Sequence, residues 1–288
     1  MYALSKEELR EVQLKSLEVF KYFKQVCEKE NLTTYFCGGC CIGTIRHKGF
    51  IPWDDDVDVF MPRHDYDRLI SVWNKYDLNG KYPIHRAGFS NNFGRMLFTV
   101  VTDRDTTFIK QERADLDIDQ GLNLDIIPLD GCPDSKFKQR VQSFWALIYS
   151  LYCADMIPIN HGKFVTGLGK IGLALVPGKK LKTKVWKFAE KQMTKYPIKD
   201  CNYIRELCSG PKYMFNVFPK ELFDHAIYRE FEGELMPIPV GYDQYLKKAF
   251  GNYMELPPIE DRNPHHYVEY CDMHNSYIQY RGIHYSKH

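Results

Sequence analysis

The chain has 288 residues, 44% of them hydrophobic, enough to bury a sizeable core as one large domain or as one domain with a helical extension. Its 39 basic and 37 acidic residues give a formal net charge of +2, which argues against the uniformly basic surface of a dedicated nucleic-acid binder. Nine cysteines at irregular intervals fit a reduced compartment, and no apolar run reaches the length of about 18 residues that spans a bilayer. Residues 1–20 scatter charge among apolar positions and lack a signal-peptide core, so the expected location is the cytoplasm.

In chain order, Leu9 and Val12 and then Leu17, Phe20, Phe23 and Cys27 recur at steps of three and four, which predicts an amphipathic helix over 6–30. Thr33–Gly39 reads as a short strand ending in a Gly-Gly turn, and residues 40–47 as the first turns of a helix that Gly49 and Pro52 break. VDVFM at 57–61 alternates into a strand closed by Pro62. A helix follows over roughly 64–76, with strands at 95–102 and 121–128. Beyond Pro133 the texture changes to helix-like patterns at about 136–155, 180–195 and 241–250, with one further strand at 224–232. These signals predict an α+β protein whose front half holds the chemistry and whose C-terminal half is mainly helical.

Within the back half, residues 163–195 carry nine lysines against one acid, Glu190, interleaved with residues such as Phe164, Leu175, Trp186 and Phe188. The segment reads either as a contact for an anionic membrane or polymer or as a solvated helical face over an ordinary core. The first reading would bring the protein to the inner face of the cell membrane.

The chemistry concentrates in GGCCIGTIRHKGFIPWDDDVDVFMP, residues 38–62. Asp54, Asp56 and Asp58 lie two apart, so in an extended segment their carboxylates face one side at a spacing of about 6.6 Å. Such carboxylates repel one another unless a cation intervenes, and hard oxygen ligands suit Mg²⁺ or Mn²⁺. The alternative, a solvated acidic turn, is disfavoured by the apolar flanks Phe50, Ile51, Trp53, Val57, Val59 and Phe60. Gly38 and Gly39 before a helix start offer backbone N–H groups and a positive dipole end for a phosphate, and Arg46, His47 and Lys48 add positive charge. Cys37 and Cys40 form a lone C-x-x-C without a second pair to complete a zinc template.

The string IRHKGFIPWDDDVDVFMPR resembles the signature of the LicD family, which is related more distantly to the fukutin-related glycan phosphotransferases. LNLDIIPLDG resembles the family's next acidic strand, and YLKKAFGNYMELPPIEDRNPHH its C-terminal motif. The resemblance implies a nucleotidyltransferase-like mixed sheet flanked by helices, with residues 1–131 as the catalytic core and 132–288 as a mainly helical extension completing the donor and acceptor site. It implies Asp56 and Asp58 as the metal-binding pair, with Asp54 either a further ligand or a carboxylate behind them. Asp125 would be the third active-site carboxylate, with Asp130 the competing candidate; the place of Asp130 after Pro128 favours a loop or capping role. Tyr253, Arg262, His265 and His266 match the C-terminal motif, and Arg262 is the first choice there for a donor phosphate contact, against an exposed surface arginine. At one point the chain departs from the fold's pattern: Cys40 stands where Ser or Thr usually follows the second glycine, and a thiol is the weaker donor.

The activity so implied is metal-dependent transfer of phosphocholine, or a similar headgroup, from CDP-choline to a glycan or glycolipid acceptor such as teichoic acid or lipopolysaccharide, with a nucleoside monophosphate leaving. The competing readings are a nucleotidylyltransferase acting on a nucleoside triphosphate and a non-catalytic module that docks glycans or membranes.

Overall fold

In the computed structural model, residues 4–90, 94–156, 162–264 and 266–287 are described. The chain opens with α1 (Lys6–Glu30), β1 (Tyr35–Phe36), α2 (Gly38–Arg46), β2 (Val57–Pro62), α3 (Arg63–Trp73), β3 (Ile84–His85), β4 (Thr99–Asp103), β5 (Thr107–Lys110) and β6 (Leu122–Cys132). It continues through α4 (Lys136–Ala154), α5 (Gly162–Leu175), α6 (Lys179–Met193), β7 (Tyr203–Glu206), α7 (Pro211–Met214) and β8 (Phe218–Pro219). It closes with β9 (Ala226–Phe231), β10 (Glu234–Pro239), α8 (Tyr242–Phe250) and β11 (Val268–Asp272). The protein is α+β, as the sequence patterns require. Strands β3, β5, β7, β8, β10 and β11 have no clear periodic signal, because two to six residues of mixed polarity carry too little pattern.

Two compact units divide these elements, and neither is continuous in sequence. Unit 1 contains residues 1–94, 99–127 and 221–288, and unit 2 contains 95–98 and 128–220.

In unit 1 the sheet runs β1-β2-β6-β4-β3, with β1 antiparallel to β2 and β4 antiparallel to β6 in a register that sets Val100 opposite Asp125. Helix α1 starts from a capping box in which the Glu8 N–H donates to Ser5 Oγ at 3.1 Å and the Ser5 N–H to Glu8 Oε2 at 2.8 Å. Its apolar stripe enters the core, where Val12 packs with Phe108, Leu122, Val268 and Met273. A chain of rings links Phe20 to Phe36 at 4.4 Å, Phe36 to Phe231 at 5.0 Å and Phe231 to Phe50 at 4.8 Å. It ties α1 and β1 to the β9–β10 hairpin and to the loop that enters the acidic cluster.

Unit 2 takes the last residues of β6, which pair antiparallel with β7 so that Asp130 lies opposite Arg205; β7 in turn pairs with β8. Pro128 therefore does not end the strand, and Asp130, 1% exposed, is a strand residue rather than a loop or cap. Buried Arg205 donates from Nε to Met214 O at 2.9 Å and from Nη2 to Ser143 Oγ at 2.8 Å. Helices α4, α5 and α6 complete this unit.

Candidate active site

Helix α1 and the β9–β10 hairpin shape the loop that carries the acids. Gln13 of α1 donates to Asp54 O at 2.9 Å and to Ile51 O at 3.3 Å, while the Asp54 N–H closes a turn on Ile51 O at 2.9 Å. At the hairpin tip, Glu232 accepts the Phe50 N–H at 3.1 Å and pairs with Arg10 of α1 at 2.6 Å. Gly49 allows that approach, since a Cβ there would stand 2.5 Å from Glu232 Oε1.

The carboxylates gather where this loop becomes β2. Asp54 is 3% exposed, while Asp56, Asp58 and Asp125 are half-buried. Burial raises the carboxyl groups of Asp54, Asp56 and Asp58; neighbouring carboxylates push Asp54 and Asp58 further in the same direction, while at Asp56 the charges of Asp55 and Asp125 add to burial and those of His266 and Lys110 oppose it. For Asp58 the neighbours responsible are Asp56, Asp125 and Asp54, so the alternating acids of the loop and the acid of the adjacent strand β6 act on one another. Asp54 and Asp56 share a side-chain hydrogen bond. Oδ1 of Asp125 is buried and has no hydrogen-bond partner among the described residues.

Asp55, not singled out in the sequence, is 1% exposed and does the opposite. Its Oδ1 lies 3.0 Å from His266 Nδ1 and its Oδ2 accepts the His266 N–H at 3.2 Å. Burial alone would raise this carboxyl; the hydrogen bonds from His266 and the charge of Lys110 outweigh it and hold the group below its ordinary value. Lys110 Nζ in turn lies 2.9 Å from His266 Nε2. An ammonium has only donors, so Nε2 is the acceptor and the imidazole proton belongs on Nδ1, facing Asp55. Strand pairing explains the meeting, because β5 and β11 run antiparallel with Lys110 opposite Val268, two residues beyond His266. Neither Lys110 nor Asp55 had a sequence signal: one sits in the unremarkable strand TFIK, the other on the wrong phase of the D-x-D alternation.

Asp55, Asp56 and His266 offer ligand atoms within 4.8 Å of one another, close enough to share a metal ion. A cation taking His266 as ligand would displace one of the two hydrogen bonds its ring already makes, whereas Asp125 Oδ1 carries no such cost.

At the start of α2, Gly38 adopts φ +49° and its N–H donates to Tyr245 Oη at 3.0 Å. A Cβ on Gly39 would stand 2.2 Å from Asp54 Oδ2, so glycine is what lets that carboxylate lie against the helix start. Cys40 is buried with its Sγ 3.8 Å from Asp56 O; burial and then the charges of Asp54, Asp58 and Asp56 push its thiol well up, leaving no thiolate nucleophile. All nine cysteines are free.

The cations named from the sequence take separate positions. Arg46 donates from Nη1 to Tyr253 O at 2.7 Å and to Glu255 O at 3.0 Å, which fixes the C-terminal motif to α2. Lys48 is exposed and pairs with Glu230 at 3.7 Å. Arg262 donates to Pro257 O at 2.9 Å and stands 5.7 Å over the ring of Trp53, and its charge bears on Arg46. Buried Tyr253 donates to Asp243 Oδ1 at 2.9 Å, an anchor for the motif. His265 lies outside the described residues.

An α+β domain whose glycine turn opens a helix beside acids on adjacent strands is of the nucleotidyltransferase type, and residues 31–128 match the nucleotidyltransferase domain of LicD/FKTN/FKRP. Over 286 residues the chain is 32% identical to the lipopolysaccharide cholinephosphotransferase LicD of Haemophilus influenzae, covering 92% of this chain and 98% of that protein. The chain belongs to the LicD family, and it is a phosphotransferase.

Proposed function

We propose that this enzyme transfers phosphocholine, or a closely similar phospho-headgroup, from CDP-choline to a cell-surface glycan such as lipopolysaccharide. The observation that carries the reading is similarity along nearly the whole chain to a lipopolysaccharide cholinephosphotransferase, with the acidic cluster inside the matched domain.

The donor set fits a hard divalent cation. Burial and neighbouring carboxylates raise the carboxyl groups of Asp54, Asp56 and Asp58, and one buried oxygen, Asp125 Oδ1, lacks a partner among the described residues, as expected of ligands arranged for positive charge. Asp56, Asp58 and Asp125, with Asp54 behind them, would hold Mg²⁺ or Mn²⁺. Such an ion, when bound, supplies neutralisation of the donor's diphosphate and of the departing nucleoside monophosphate. For the donor phosphates the candidates are the Gly39 N–H at the start of α2 and the cations Lys48 and Arg262, because the Gly38 N–H is held by Tyr245 Oη and Arg46 Nη1 by the carbonyls of Tyr253 and Glu255. Asp125 accepts the proton of the acceptor hydroxyl as oxygen attacks phosphorus in line. Lys110, through His266, keeps Asp55 ionised and fixed, which orients its neighbour Asp56.

Incubation with CDP-choline, Mg²⁺ and lipopolysaccharide should release CMP and label the glycan. Release of pyrophosphate from CTP with CDP-choline untouched would instead identify a nucleotidylyltransferase.

A further inference from the structure

We propose that the exposed seam between α4 and α6 is a docking surface for an anionic phospholipid bilayer. The inference concerns unit 2 alone and does not depend on which headgroup the enzyme transfers.

On α6 the buried residues Trp186, Ala189 and Met193 mark the side turned to the core of the unit. Lys180, Lys184, Lys187 and Lys191 follow one another at steps of four, three and four, which stacks them in one row on the opposite side. Leu181 and Phe188, seven apart and 45% and 53% exposed, run beside that row within about a third of the helix circumference. Helix α4 adds Phe144 and Leu147, 54% and 40% exposed. Trp145 joins the two helices, its ring 5.2 Å from that of Phe144 and 5.3 Å from that of Phe188.

A solvated helical face explains the lysines but not two half-exposed phenylalanines bridged by a tryptophan beside them. Aromatic rings at the headgroup level, with lysine stems lying along them and ammonium groups turned to lipid phosphates, account for both. Charge selects among occupants. Residues 163–195 hold nine lysines and one acid, so a second copy would set like charges face to face, whereas an anionic leaflet is complementary. No helix among the described residues is long and apolar enough to cross a membrane, so contact would be from one side.

The test is cosedimentation of the full chain with phosphatidylglycerol–phosphatidylcholine vesicles and with pure phosphatidylcholine vesicles at 0.1 M salt. Binding is expected to the anionic vesicles, and to weaken at least about tenfold in Lys180→Gln/Lys184→Gln/Lys187→Gln/Lys191→Gln and in Phe144→Ser/Phe188→Ser. Circular dichroism should report unchanged helix content in both, since every altered side chain is exposed. Should either variant fail to fold, a salt titration of the wild type decides: release from anionic vesicles by 0.5 M salt supports the surface and retention overturns it. Equal binding to both vesicle types, undiminished binding by a folded variant, or a wild-type dimer in solution that Phe144→Ser/Phe188→Ser dissociates would each overturn it as well.

Discussion

The acidic cluster of unit 1 and the lysine row of α6 in unit 2 are both concentrations of like charge, yet physics treats them differently. The acids stand on buried backbone, packed against one another by α1, the β9–β10 hairpin and the sheet, and cannot separate. The lysines project from one exposed helix face on flexible stems, and water screens them. Like charge that is held in place becomes a standing demand for a counter-ion; like charge that is free to spread costs little and waits for a surface. The energetic consequence of removing a charge should therefore fall steeply from the first region to the second.

The largest effect is expected at the cluster itself. Asp56→Asn and Asp58→Asn keep the shape and remove the charge, so each should lower turnover roughly a thousandfold or more while the melting curve stays near wild type. Steady-state CMP release on the purified variants measures this, and EDTA should reproduce the loss in the wild type until Mg²⁺ or Mn²⁺ is restored. Near-normal turnover in either variant would move the assignment to Asp54 and Asp125.

Next comes the support behind the acids. Lys110→Met and His266→Ala each remove one link of the chain that ends at Asp55, and each should lower turnover about ten- to a hundredfold. Because both act through Asp55, the double variant should be little worse than either alone, which a double-mutant cycle reads directly.

A buried pair remote from the acids offers an intermediate case. Asp119 is 6% exposed and lies 3.0 Å from His85 Nε2 and 3.1 Å from Arg104 Nη2. Burial would raise its carboxyl, but hydrogen bonds from His85 and Tyr277 and the charge of Arg104 hold it well below the ordinary range. A folded pKa below the unfolded one means that the stabilisation is present above about pH 4 and is lost as acid protonates the group below it, an effect of about 2 kcal/mol. Asp119→Asn should flatten that acid limb of a stability–pH curve from urea melts.

Smaller still, Glu232→Ala leaves the Phe50 N–H without its acceptor, at about 1 kcal/mol, since the Arg10 partner is half-exposed and adds little. The smallest expected effect is at Lys182→Gln in α6. Its 2.5 Å pair with the half-exposed Asp155 should contribute less than about 0.5 kcal/mol to thermal stability.

How far the sequence was legible follows the same division between local and distant causes. Helix α1, strand β2 and the placing of Asp125 on a strand with its side chain away from Leu124 and Ile126 could be read directly, because periodicity is local. The D-x-D acids could be read because their spacing states their shared direction. Asp55 could not: its importance lies in a histidine 211 residues away. Nor could Lys110, brought to that histidine by the pairing of β5 with β11, or Glu232, which shapes a loop 182 residues earlier. Pro128 misled because proline usually interrupts strands, yet here the ladder of β6 resumes one residue later at Leu129, opposite Glu206.

The Asp55–His266 contact also bears on when the protein becomes an enzyme during its own synthesis. A ribosome delivers every acid of the cluster within the first 125 residues, but the residue that fixes Asp55 and the strand that aligns Lys110 emerge only after position 265. A chain clipped before that point would carry the whole acidic signature without the contact that holds Asp55.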